Sequence, residues 1–161
     1  MSNNTPTTNV NKFQPKGKTK VINGSIINPE TGGLRFILSP LNTIGKPEHV
    51  LMPIFDKRWA SVRRDIKGFY SNKTGTYKLG YVNTTAVQSD VWIIHLLFQN
   101  EKLETDVKGL EVCLKEVCKM AKYEKASVHV SNLLLEKVPE MKDLLTSKLL
   151  DEGVSVYFYS E

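Results

Sequence analysis

Short β-rich runs alternating with stretches of helical periodicity predict a three-layer α/β/α sandwich around a mixed, mostly parallel sheet. Two further observations support this class. Most neighbouring runs are separated by enough chain for a crossover helix, which parallel strands require and hairpins do not. The chain has 161 residues, which suits a single compact domain, since a core of this size buries about 68–70% of the unfolded surface.

The strand-like runs fall near 20–27, 34–38, 79–87, 91–98, 126–131 and 154–159, where Val, Ile, Tyr and Phe dominate. Between them, Phe55, Trp59, Val62, Ile66 and Phe69 recur at three and four, which lays an apolar stripe along a helix from about Asp56 to Tyr70. Its other face carries Lys57, Arg63, Arg64 and Lys67. A second helix is predicted near Thr105 to Tyr123, with Val107, Leu110, Leu114, Val117, Cys118 and Ala121 on one side and Thr105 as its cap. A third runs near Pro139 to Asp151, with Met141, Leu144, Leu145 and Leu149 inward. Pro139 suits a first turn, and Gly153 a stop.

Residues 1–19 are polar and hold few sizeable apolar groups, so they are expected to form a flexible basic arm preceding a domain over 20–161. Lys12, Lys16 and Lys18, with Lys20 directly after them, give this end of the chain positive charge with no acidic residue. That pattern keeps a tail solvated, and it also suits contact with a polyanion. The whole chain carries a formal net charge of +5 with 24% charged residues, a hint of anionic partners within an ordinary globular composition. Val91 to Phe98 is the longest apolar run and falls well short of the roughly 20 residues of a membrane span. The amino terminus has no signal-peptide core, so the expected location is the cytoplasm, or that of a host cell if the chain is phage-encoded. Cys113 and Cys118 share one helical pattern with no partner at zinc-ligand spacing, and are expected to be packing thiols. No metal and no cofactor are expected.

The succession Leu34–Leu38, Leu41-Asn42-Thr43-Ile44-Gly45, Lys57-Arg58-Trp59, Lys78-Leu79-Gly80, Trp92 to Gln99, Leu110 to Ala121 and Ala126 to Val130 resembles a macro domain, the ADP-ribose-binding α/β module. The likeness covers about residues 20 to 159 and is nearest the divergent bacterial and phage members. It implies a nucleotide cleft at the carboxyl ends of the strands, the position where open α/β sheets bind ligands. The family's early Gly-Asp-Ile block, whose carboxylate recognises adenine, corresponds to Gly24-Ser25-Ile26, and Ser25 is a neutral acceptor. Its glycine-rich phosphate loops correspond to Lys46-Pro47-Glu48-His49 and to the glycine-free Ser131 to Pro139. Pro47 lacks an amide hydrogen, Glu48 adds negative charge, and without glycine a close-approach backbone is hard to build. Asn42 matches the family's loop asparagine, while its catalytic groups have no clear match.

Carried over position by position, the resemblance implies ligand contacts at Ser25, Ser39, Asn42, Gly45, Ser131 and Asn132. The leading expectation is a macro-type binding module without catalysis, taking ADP-ribose or a related nucleotide. The alternative is the same fold put to binding nucleic acid or a protein through Lys12, Lys16, Lys18, Lys57, Arg58, Arg63, Arg64 and Lys67. An ADP-ribosyl hydrolase is the activity to expect if the chain is an enzyme. His95 and His129 lie in strands and are expected to be core histidines, whereas His49, in a loop beside Glu48, is the one conceivable acid or base. Leu133, Leu134 and Leu135 either plug the cleft or form an outward apolar patch.

Overall fold

The computed structural model describes residues 15–72 and 78–161. Lys12 and most of the expected arm therefore lie outside the described residues. Six strands form one sheet in the order β1-β6-β5-β2-β4-β3. They are β1 (Thr19–Ile22), β2 (Arg35–Asn42), β3 (Val82–Gln88), β4 (Val91–Gln99), β5 (Ser127–Ser131) and β6 (Val156–Tyr159). Every pairing is parallel except β3 with β4. Helices α1 (Met52–Asp56), α2 (Ala60–Ser71), α3 (Val107–Glu124), α4 (Asn132–Lys137) and α5 (Met141–Lys148) cover the sheet in the three-layer α/β/α arrangement.

The two central strands are the most apolar because both their faces are covered: in β4, seven of the nine residues from Val91 to Gln99 are buried. Strand β2 continues beyond the expected 34–38 through Ser39, Pro40, Leu41 and Asn42, all buried. Pro40 is tolerated here for a topological reason. The amides of Arg35 and Thr43 donate toward β4, to Asp90 O and Gln99 O. By alternation, the amide missing at Pro40 faces the β5 side, where pairing has already ended at Ile37 and His129.

Three expected helices shift. The stripe from Phe55 to Ile66 is buried as expected. It belongs to two helices, because Trp59 adopts a non-helical backbone (φ −129°, ψ 86°) between them and Pro53 starts α1 early. The cap of α3 is Asp106, whose carboxylate accepts the Gly109 amide at 2.7 Å, in place of Thr105. Val107, placed inward by periodicity, is 44% exposed. The third helix closes as a short 3-10 turn at Leu150–Glu152, with Gly153 at φ 91°. The segment expected as a glycine-free loop after β5 is helical instead: Ser131 caps α4 by accepting the Leu133 amide at 3.1 Å.

The strand expected over 20–27 stops at Ile22, and the Asn28 amide closes a turn on Ser25 O. The boundary at residue 19 falls within β1. Upstream of it, Gly17 donates to Leu150 O and Lys18 to the Ser155 hydroxyl. Gly17 passes so close to β6 that a Cβ there would meet the Val154 carbonyl oxygen at 2.1 Å. Cys113 is fully buried, its sulfur 3.6 Å from Tyr81 O. No helix among the described residues is long and apolar enough to cross a membrane.

Candidate ligand cleft

Because β2 runs on to Asn42 while its ladder with β5 stops at Ile37, the two strands part at their carboxyl ends. A cleft of about 310 Å³ lies at this edge, bordered by Pro40 of β2, Gln99 of β4, Glu48, His49 and Val50 of the loop between, and Leu134 of α4. Its volume is at the lower end of the range for sites that enclose small organic ligands.

Asn42 is 3% exposed and bonds through its side chain to the adjoining loop. Its Oδ1 accepts the amides of Ile44 (3.2 Å) and Lys46 (3.0 Å), and its Nδ2 donates to Lys46 O at 2.8 Å. The Tyr70 hydroxyl accepts the Asn42 amide and donates to its carbonyl. Gly45, at φ 77°, lets the loop double back between these anchors. Asn42 therefore braces the loop that leads to the cleft, with its Oδ1 and one Nδ2 hydrogen engaged.

Ser39 is fully buried in β2 and lies 3.2 Å from His49 Nε2. The Leu51 amide donates to His49 Nδ1 at 3.0 Å, so the ring proton sits on Nε2 and points at Ser39. In this tautomer His49 donates to the hydroxyl and cannot take its proton. Burial dominates the ring's acidity and lowers its pKa to about 4; Glu48 opposes this and Arg63 adds to it. The negative charge expected from Glu48 is also tempered: Arg63 pairs with Glu48 and, at 2.6 Å, with Asp56. The bond to Arg63 is the main reason the Asp56 carboxyl is held below its usual range.

Ser131 is fully buried and occupied as a helix cap, and Asn132 opens α4 half-buried beside it. Of the three leucines, Leu134 turns into the core and forms a wall of the cleft, while Leu133 and Leu135 are half-buried against the core. They neither plug the cleft nor stand free. Ser25 lies on the 23–28 turn, away from these groups. Its hydroxyl donates to the Glu161 carboxylate at 2.9 Å, and the Ile26 amide donates to the other oxygen at 2.8 Å. The cleft itself is lined by Pro40, Glu48, His49, Val50, Gln99, Leu103, Leu134 and Lys137; Ser39, Asn42 and Gly45 lie behind it on β2 and the following loop, Ser131 and Asn132 at the start of α4, and Ser25 apart.

Pattern reading missed Tyr70, Glu161, Val50, Gln99 and Lys137. Tyr70 and Glu161 reach their places through contacts distant in sequence, and Gln99 and Lys137 lie in segments that carry the resemblance without being marked as ligand groups. Among the basic residues, Arg63 is held by two carboxylates, and Arg58 lies over the Trp59 ring at 5.0 Å and donates to Asn28 at 3.1 Å. Lys57, Arg64 and Lys67 are exposed. Lys16 reaches Asp151 at 3.4 Å, and Lys18 is exposed beside β1.

A macrodomain protein from Streptomyces coelicolor superposes with a TM-score of 0.81 at 19% identity, covering 89% of this chain and 99% of its own. The fold is that of a macro domain. The macrodomain of Thermus aquaticus DarG matches this macro fold with a TM-score of 0.66 at 14% identity, over 90% of this chain and 99% of the other. Thermosipho africanus DarTG, solved in complex with ADP-ribose, matches with 0.67 at 15% identity, over 88% of this chain and 41% of that one. No protein-family profile and no curated protein matches the sequence.

Proposed function

We propose that this macro-fold chain is a non-catalytic binding module that takes ADP-ribose or a related nucleotide at the carboxyl edge of its sheet. The observation that carries the reading is the parting of β2 from β5, which leaves a cleft between the Asn42-braced loop and α4. The ADP-ribose complex of a protein with this fold supports the choice of ligand class. In the proposed site Pro40, His49, Val50, Gln99 and Leu134 line the cleft, Ser39 and Ser131 support it from within β2 and the α4 cap, Asn42 and Gly45 shape the loop that leads to it, and Asn132 opens α4 beside it; Ser25, bonded to Glu161, lies apart. The His49 tautomer argues against proton abstraction at Ser39. Nucleic-acid binding through the basic face is weakened by the internal pairing of Arg63 and the docking of Arg58, which leave Lys57, Arg64 and Lys67 as the exposed cluster.

Thermal unfolding with and without ADP-ribose tests the reading. A ligand at 100 times its dissociation constant adds about 2.7 kcal/mol to native stability, which raises Tm by several degrees in a domain of this size. The expected result is a saturable rise that Val50→Trp, which fills the cleft, removes. A rise unaffected by that substitution, or none at all, refutes it.

A further inference from the structure

A second pocket of about 390 Å³ lies at the opposite edge of the sheet, beneath the amino ends of β2, β5 and β6. Leu34, Lys122, Lys125, Ser127, Gly153 and Ser155 border it. Nothing in the proposed nucleotide cleft reaches this edge.

The buried groups behind the pocket form a hydrogen-bond chain with one direction. The Glu30 amide donates to the Tyr159 hydroxyl at 2.9 Å. Tyr159 Oη lies 2.7 Å from His129 Nδ1, and His129 Nε2 lies 2.7 Å from Ser127 Oγ. Two tautomers fit these distances, and burial separates them. With the ring proton on Nδ1, the Tyr159 oxygen would accept twice and its own proton would be left without an acceptor in a fully buried residue. With the proton on Nε2, Tyr159 donates to Nδ1 and His129 donates to Ser127. The last proton of the chain then belongs to the half-buried Ser127, at the pocket surface. Each link polarises the next, so the Ser127 hydroxyl is the strengthened donor of the series.

Ser155, just ahead of β6, adds a second hydroxyl at the pocket: its oxygen accepts the Lys18 amide at 3.0 Å, which leaves its proton to donate elsewhere. The charges agree. Lys122 shares Glu152 at 3.4 Å, and among the described residues Lys125 has no ion-pair partner. The end of α3 opposes an anion, and the amides of Lys125 and Ala126 occupy one of its terminal carbonyls, that of Ala121. Two hydroxyl donors and an unpaired ammonium around a polar hollow match an acceptor-only group carrying negative charge.

We propose that this pocket is a second ligand site, which takes the oxyanion of a small phosphate-bearing molecule on Ser127, Ser155 and Lys125. The test is a titration of the full chain with inorganic phosphate at constant ionic strength, followed by amide chemical shifts. Saturable shifts at Ser127, Lys125, Gly153 and Ser155 are expected. Ser127→Ala and Lys125→Asn, the latter chosen because Asn tolerates the left-handed backbone there, should each weaken binding about tenfold, the worth of one charge-assisted hydrogen bond. Unchanged shifts in β2 and β4 will show that both variants remain folded. Shifts that chloride reproduces, affinity unchanged in Ser127→Ala, or a His129 ring proton found on Nδ1 by nitrogen chemical shifts would each overturn the proposal.

Discussion

Asn42 shows how far a residue's type can be legible while its task is not. The resemblance marks it as a ligand group, yet its Oδ1 and one Nδ2 hydrogen are engaged by Ile44 and Lys46. Truncation removes the side-chain partner of two part-buried loop amides and a carbonyl. Asn42→Ala is therefore expected to cost about 1–3 kcal/mol in urea unfolding, with any loss of ligand binding following from a disordered rim. Asn42→Asp keeps both acceptor bonds and should fall between Ala and the wild type; a substitution to Ala that left stability unchanged would refute the bracing role. His49 carries the same lesson in acid–base terms: its loop position beside Glu48 suggests a base, and one backbone amide from Leu51 fixes the tautomer that prevents it.

Among the elements, α3 was legible in its length and in its buried face from Leu110 to Ala121, because an amphipathic stripe is a property of local sequence. Its start was displaced by one residue, since Thr105 and Asp106 are both good caps and the choice depends on which one meets the first turn. Asp106→Ala should lower stability by about 1 kcal/mol in chemical denaturation, and Thr105→Ala should cost little. Equal effects would mean that the cap is shared. Helix α4 is hidden by the resemblance, which makes the glycine-free Ser131 to Pro139 a loop, although Ser131 before Asn132-Leu133-Leu134-Leu135 also satisfies a capped helical turn. The side on which Leu134 packs is settled by its contact with the core.

For the molecule as a whole, the three histidines are the groups that tie stability to pH. Burial lowers their pKa values, to about 4 for His49 and about 3 for His95 and His129. Each folded value lies below the unfolded value of about 6.5, so the unfolded chain binds more protons in acid. The stability they contribute is complete above about pH 6.5 and is lost as the pH falls toward the folded values. Each ring left neutral adds a slope of about 1.4 kcal/mol per pH unit in that interval. Urea midpoints should be level between pH 7 and 8 and fall steeply from pH 6 to 5; a midpoint unchanged over the lower interval would show that the rings are charged in the native state. His95 is the sharpest case, since its Nε2 pairs with Thr85 at 3.0 Å while its buried Nδ1 has no partner among the described residues.

What the sequence by itself determined is the alternation of strand and helix, the parallel sheet it requires and the apolar faces that bury it, because these depend on periodicity along a few neighbouring residues. The tertiary structure alone decided where β2 parts from β5, that Arg63 is consumed by Glu48 and Asp56, and that Glu161 meets Ser25. It also placed Ser127 at the end of a chain that begins at Glu30. These facts rest on side chains brought together across tens of residues, and the pairing of such groups is fixed by how the packed layers meet, which no local pattern encodes.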